Sequence, residues 1–298
     1  MKIVYITGLG HSGSTILDMV LGCHPEMTGL GEIAQLIKAT QSELEDKQSR
    51  YNTLLCSCGE RINNCGFWKA AKQVLAENSG LSKVEKYQKI IHHFQSLYGD
   101  RMVLVDSSKI VNECLVELNR AHDLKIIFLA RDFRSWCYSR NRKLGKNILI
   151  LGYQWARWTW GVWHFLKRNN LSYKQLGYEE LALYPDVMLK EVCDFIGVEY
   201  DPCMLSPENT KSHIVEGNTA RGDSEKRQRI RYDARWMTSL PLAFYSVLLF
   251  PLMTVNRRLV YSNFLQKKVT AFGRKGDDFL LFSVKRKEAM INYTKKIK

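Results

Sequence analysis

Thr7-Gly8-Leu9-Gly10-His11-Ser12-Gly13-Ser14-Thr15 is the stretch that decides the fold. Gly8, Gly13 and Thr15 satisfy the spacing of a phosphate-binding loop written G-x-x-x-x-G-K-[ST], but Ser14 stands where that loop carries lysine. The lysine neutralises the β and γ phosphates of a nucleoside triphosphate. Glycines without it still make an anion cradle, one poorly suited to ATP or GTP. The expected ligand is another nucleotide whose reactive end is a phosphate-like group. The flanks agree with this reading. Lys2 to Thr7 is a short β-branched, apolar run of the kind found in buried parallel strands. Thr15 to Gly22 reads as a helix with Ile16, Leu17, Val20 and Leu21 on one face, and its N-terminus supplies about half a positive charge to a bound phosphate.

Downstream, the pattern alternates. Helices are expected at Ile33–Lys38, Phe67–Glu77, Lys83–Tyr98, Ile110–Arg120, Phe133–Arg142, Tyr153–Lys167 and Pro185–Ile196. Strands are expected at Met102–Asp106, Lys125–Ala130 and Ser172–Leu176. Strands alternating with helices imply an α/β, P-loop-type three-layer fold, with a central parallel sheet and helices on both faces. Ligands in such sheets sit beyond the C-terminal ends of the strands. The loop residues Gly10, His11, Ser12, Gly13, Ser14 and Thr15 fall at such an end, as do Ser107–Lys109 and Arg131. One site can therefore collect them.

A chain of 298 residues buries a substantial core. Met1-Lys2 runs straight into the first strand, so no secretory signal is expected, and eight cysteines at this length do not suggest a disulfide scaffold. A reducing, cytoplasmic setting follows. The net charge of +14 is uneven: residues 1–220 hold 26 Lys/Arg against 24 Asp/Glu, and residues 221–298 hold 18 against 6. No charge falls between Trp236 and Asn256, although Pro241 and Pro251 interrupt that apolar stretch. The expected division is 1–235 as the nucleotide-binding domain and 236–298 as a basic, partly apolar extension. Either 236–256 is a buried core helix or it lies at an anionic membrane surface, which would put the protein on the inner face of the membrane. A nucleic-acid partner is the weaker reading of the same charge.

At this point the chain resembles the sulfotransferases that use 3′-phosphoadenosine-5′-phosphosulfate (PAPS). Their 5′-phosphosulfate loop is similar to Gly8–Thr15 with its helix and the ending Leu21-Gly22-Cys23-His24-Pro25. Their 3′-phosphate motif, an Arg-Asp pair with a serine eight residues after the arginine, is matched by Arg131, Asp132 and Ser139. Further likeness lies in Tyr178-Glu179-Glu180-Leu181, in Asp194-Phe195-Ile196-Gly197, and in His213 with Gly217-Asn218 and Arg221. Cys56-x-Cys58 with Cys65 and Phe67-Trp68 resembles the bacterial branch, and the whole resemblance covers about residues 1–240. It implies PAPS as co-substrate, no metal requirement, and a hydroxyl acceptor on a glycan, lipid or small molecule. Arg131 and Ser139 would read the 3′-phosphate, with Arg221 as a second cation.

The resemblance also implies roles in catalysis. Cytosolic members use a histidine base, whereas the tyrosylprotein branch uses a glutamate in a Gly-Glu motif after the first helix. Gly31-Glu32 matches that place, so Glu32 is the expected base. Lys109 resembles the cation near the leaving group, and His11 stands where the family usually has Lys or Arg. Cys56, Cys58 and Cys65, with Cys23 or His24 as a fourth ligand, lack the paired C-x₂-C signature, so no metal is expected. Trp155, Trp158, Trp160 and Trp163 crowd one helix, as core residues or in part as an acceptor wall. Acceptor pockets in such folds are built by loops, here 40–66, 143–153 and 200–225. Two rival classes remain. A P-loop kinase-like phosphotransferase would need Asp106 to hold magnesium. A non-catalytic membrane- or nucleic-acid-binding protein on a nucleotide fold would rest on the basic tail.

Overall fold

The computed structural model describes residues 1–217 and 230–261. Its centre is strand β1, Lys2–Gly8, whose side chains alternate between two apolar layers as the period of a strand requires. Ile3 and Tyr5 enter one layer, Val4 and Ile6 the other, and all four are buried. Each such aliphatic side chain contributes roughly 1.5–3 kcal/mol on burial.

Around β1 stand β2 (Met27–Gly29), β3 (Val103–Lys109), β4 (Asp123–Ala130) and β5 (Tyr173–Gly177), in the order β2-β3-β1-β4-β5. Every pairing is parallel. The three-layer fold is thus the observed one, with β2 as an additional edge strand. Three residues give no periodicity to read, which is why β2 is invisible in the sequence.

One face is covered by α1 (Ser14–Leu21), α10 (Tyr178–Leu183) and α11 (Pro185–Ile196). The other is covered by α2 (Ile33–Ile37), α5 (Trp68–Glu77), α6 (Lys83–Tyr98) and α7 (Glu113–Ala121). Between α2 and α5 lie the short helices α3 (Gln41–Glu45) and α4 (Arg50–Thr53). Thr40 and Ser82 open α3 and α6 with capping boxes, each side chain accepting from the N3 backbone N–H while the N3 glutamate reaches back.

A third cluster joins α8 (Phe133–Leu144) and α9 (Ile148–Arg168) to Trp236, Leu242 and Val260. Residues 236–261, which the sequence assigns to the extension, therefore pack on the body. The contact is polar as well as apolar. Asp132 caps α8, accepting from Arg134 N, and its carboxylate also accepts from Asn256 Nδ2 at 2.8 Å and Tyr261 OH at 2.7 Å. Leu240–Leu248 and Leu252–Leu259 are two helices bent by 99°. Among the described residues no single helix is long and apolar enough to cross a membrane. The first of the pair is two-faced: Leu242 is buried, while Leu240, Phe244, Val247, Leu248 and the following Phe250 are more than half exposed.

Candidate active site

The loop after β1 turns under constraint. Gly13 has φ +97° and lies against the Tyr178 ring, so a Cβ there would stand 2.3 Å from Tyr178 Cδ2. His11 takes the left-handed region at φ +69° without being glycine, a conformation that persists only when its surroundings enforce it. Those surroundings are visible. Trp136 Nε1 donates to Gly10 O at 2.8 Å, and Arg131 Nη1 donates to His11 O at 2.9 Å. With its carbonyls tied to side chains outside, the loop and the N-terminus of α1 present positive potential to its hollow. Ser12 Oγ is buried there and has no hydrogen-bond partner among the described residues. An orphaned buried hydroxyl in an anion cradle is what a bound phosphate or sulfate oxygen would satisfy.

Glu32 reaches the same place from the other side of β1. The Gly31-Glu32 turn is fixed by two hydrogen bonds and a left-handed glycine. Gly31 N donates to Asp18 Oδ2 at 3.1 Å, Glu32 N donates to Val215 O at 3.2 Å, and Gly31 has φ +80°. The Glu32 carboxylate then pairs with Lys109, both side chains being mostly buried. Lys109 arrives by a bulge. The β1–β3 register slips between Tyr5↔Asp106 and Thr7↔Lys109, and Lys109 takes φ +69° while Thr7 Oγ1 holds its carbonyl at 2.8 Å. A bulge of this kind re-aims a side chain, here into the site. Gly217 marks where the two halves meet: a Cβ on it would lie 2.7 Å from Thr15 Oγ1 and 3.4 Å from Glu32 Oε1. The structure therefore gathers Thr15, Glu32 and Lys109 at the C-terminal ends of β1 and β3.

Arg131 closes the site beside β4. Its guanidinium donates to His11 O, to Ser135 Oγ at 2.9 Å and to Asp233 Oδ2 at 2.9 Å, and it lies over the Tyr178 ring. The serine it touches is Ser135, one turn into α8, while Ser139 sits a turn further along, half-buried. Asp233 is itself bound by Arg235, and these cations hold its carboxyl below the usual range against the effect of burial. Burial, then the nearby Arg140, Lys143, Lys109 and Arg131, push the His11 imidazole down to about 4. At neutral pH His11 is consequently an uncharged donor or acceptor, not a substitute for the family's permanent cation. Arg221 lies outside the described residues.

Two participants, Asp18 and Asp233, escaped the sequence reading, and a third, Tyr178, stood in its motif without a role. Asp18 is fully buried on α1, accepts from Ser107 Oγ at 2.6 Å and Gly31 N, and is raised to about 8 by burial. A carboxylate flanked by Leu17 and Met19 in an otherwise apolar helix is a signal that was available. Asp233 carries no local sequence signal, because its role arises from distant packing. Asp106, the candidate magnesium ligand, is buried with its carboxylate engaged by Ser108 N, Ser108 Oγ and Tyr87 OH on the α6 side. Trp155 is core, its Nε1 donating to Arg131 O, whereas Trp158 is largely exposed.

A parallel sheet with a glycine-rich loop after its central strand, and with a lysine–glutamate pair and an arginine at the adjacent strand ends, makes a P-loop-like α/β fold. The model of the Sulfotransferase family matches residues 4–202, and the chain belongs to that family. Among solved structures, it is similar to the sulfotransferase domain of the olefin synthase from Synechococcus PCC 7002, with TM-score 0.55 and 19% identity over 85% of this chain and 94% of that one. It is likewise similar to the sulfotransferase domain of the curacin biosynthetic pathway, with TM-score 0.54 and 22% identity over 83% and 97%. At these identities the likeness shows the fold. No curated protein sequence matches.

Proposed function

We propose that this transferase moves the sulfuryl group of PAPS to an acceptor hydroxyl, with Glu32 as general base. The observation that carries the reading is the meeting of the lysine-less phosphate loop with the Glu32–Lys109 pair around Gly217. In the proposed reaction Glu32 takes the acceptor proton as the acceptor oxygen attacks sulfur. The bond from sulfur to the bridging oxygen breaks, and adenosine 3′,5′-bisphosphate leaves. Lys109 orients the carboxylate and opposes negative charge growing on the departing oxygen, while neutral His11 and Ser12 donate hydrogen bonds from the loop. Arg131, together with Ser139 and Arg221, is assigned to the 3′-phosphate. The Asp233 carboxylate engages one arm of the Arg131 fork. No metal enters this scheme, and the engagement of Asp106 inside the fold disfavours a magnesium-dependent kinase.

A small-molecule or natural-product alcohol is the favoured acceptor class, by analogy with the biosynthetic domains that share the fold; glycans and lipids belong in the same screen. Incubation of the protein with sulfur-labelled PAPS and a panel of such alcohols should yield labelled product that disappears with Glu32→Gln. Transfer of phosphate from ATP, without sulfate transfer to any acceptor, would overturn the reading.

The reading also includes a cytoplasmic protein held on an anionic membrane. All eight cysteines are unbridged, Leu240, Phe244, Val247, Leu248 and Phe250 expose apolar side chains, and the basic excess lies in the same C-terminal quarter. Vesicles containing phosphatidylserine should sediment the protein and neutral vesicles should not, with Phe244→Ser and Val247→Ser releasing it. Equal sedimentation of wild type and variant would remove these side chains from the account.

A further inference from the structure

Cys56, Cys58 and Cys65, neighbours in sequence, are joined in the fold by the distant His213. Their ligand atoms all lie within 4.8 Å of one another. The sequence spacing suggested Cys23 or His24 as the fourth partner, and neither is near. Cys23 Sγ donates to Ser206 O, and the His24 ring contacts Glu199 O. The partner comes instead from the segment after residue 210, a distance in sequence that no local motif could cover.

The three distances among Cys56, Cys65 and His213 approach the edges of a zinc tetrahedron. Cys65 Sγ lies 3.6 Å from Cys56 Sγ and 3.2 Å from His213 Nδ1, and Cys56 Sγ lies 4.0 Å from the same nitrogen. A zinc ion with Zn–S near 2.3 Å and Zn–N near 2.0–2.1 Å has S···S edges of about 3.8 Å and S···N edges of about 3.5 Å. The donor set is also the right one, since three thiolates and an imidazole make a closed structural zinc site. The backbone is built to present them. Cys56 N donates to Glu60 O at 2.8 Å and Gly59 N to Cys56 O at 3.0 Å, folding the Cys56–Cys58 turn. Cys65 N donates to Arg61 O at 2.9 Å at the entry to α5. The His213 ring lies nearly parallel to buried Phe67, its centroid 6.1 Å away, and Trp68 Nε1 donates to the His213 carbonyl. The stacked ring and the held main-chain carbonyl limit where the imidazole can sit.

We infer that Cys56, Cys58, Cys65 and His213 bind one structural zinc ion that staples the 41–66 excursion to the 211–217 segment. The staple has a purpose beyond stability. Residues 41–66 contain only the short helices α3 and α4, with Leu44, Tyr51 and Ile62 set into the core, so the turn that carries Cys56 and Cys58 has little regular structure of its own. The partner segment runs beside the site: His213 N donates to Gly29 O, and Val215 bridges Gly31, the residue before Glu32. Ser57 binds the same segment through Ser57 N to Ile214 O at 3.0 Å and Ile214 N to Ser57 Oγ at 2.8 Å. The ion thus acts as a positioning element for the loops that frame Glu32, with no contact to the reacting groups.

The test is metal content of the full chain, purified without chelator, by plasma mass spectrometry. About one zinc per chain is expected, retained in Cys23→Ser and lost in Cys58→Ser and in His213→Ala. Replacement by cobalt should give the intense visible bands of a tetrahedral ion and a thiolate-to-cobalt charge-transfer band, both absent in the His213 variant. Should the variants fail to fold, alkylation of the native protein decides. Cys56, Cys58 and Cys65 should be protected until a chelator is added, with Cys114 unaffected by it. Zinc-free protein that takes up no cobalt, a Cys56–Cys65 disulfide in peptide maps, or equal metal content in wild type and His213→Ala would overturn the inference. None of these readouts involves nucleotide or sulfate transfer, so their failure leaves the proposed activity standing.

Discussion

Glu32→Gln isolates the base from the rest of the site. The amide keeps the shape of the side chain and an oxygen for Lys109 to donate to, but cannot accept a proton from the acceptor. Loss of a positioned general base lowers the rate about 10²–10⁴-fold, or roughly 3–5 kcal/mol of transition-state stabilisation. Folding should suffer less. The exchange turns an ion pair into a hydrogen bond to a cation, and with side-chain exposures of 16% for Lys109 and 12% for Glu32 water can still reach the ammonium, so roughly 1–3 kcal/mol is expected. Nucleotide affinity should hold within about threefold, because Thr15, Ser12 and Arg131 keep their places. Single-turnover transfer of labelled sulfate measures the chemistry, and titration with adenosine 3′,5′-bisphosphate measures binding. A variant that turns over within fivefold of wild type refutes Glu32 as base. Loss of nucleotide binding in parallel with rate would make Glu32 a structural residue.

Arg131→Ala should weaken adenosine 3′,5′-bisphosphate by about a hundredfold, the worth of a lost charge-assisted fork, and adenosine 5′-phosphate by at least tenfold less; equal losses in calorimetry would remove Arg131 from the 3′-phosphate. Asp18, raised to about 8, keeps its proton in the folded chain while the unfolded chain releases it above the ordinary carboxylate value near 4. Over pH 4–8 the folded state binds more protons, so this residue makes stability fall as pH rises. Asp18→Asn should therefore gain more in unfolding midpoint over wild type at pH 8 than at pH 5, and the opposite ordering would contradict the burial argument. His11, lowered to about 4, is neutral throughout the working range. His11→Ala should reduce turnover about tenfold or more by loss of a donor, while the wild-type pH–rate profile shows no inflection near pH 6.5 that the variant lacks.

The layers of this fold are legible where the sequence is periodic. Lys83–Tyr98 and Pro185–Ile196 have the bounds their patterns imply, and β1 follows from six residues of its own. What periodicity cannot carry is register and long-range pairing. The β1–β3 slip that aims Lys109 at Glu32 leaves no trace in Val103–Lys109, and the serine beside Arg131 is chosen by the turn of α8, which brings Ser135 closer than Ser139. The same holds for Asp233, which reaches Arg131 across 102 residues, and for His213, which reaches Cys65 across 148. The apolar run after Trp236 is ambiguous for a different reason: its helix rests on the body through Leu242 while most of its apolar side chains face outward, so composition alone averages two environments.

The central claim concerns the nucleotide, because Ser14 in place of lysine is what separates this loop from a triphosphate site. Thermal unfolding of the full chain with adenosine 3′,5′-bisphosphate, and separately with ATP and magnesium, tests it directly. Ligand at 100 times its dissociation constant adds about 2.7 kcal/mol of stability, enough to move the transition by several degrees. The account predicts that shift with the bisphosphate and little or none with ATP–magnesium. Stabilisation by ATP–magnesium alone would contradict it.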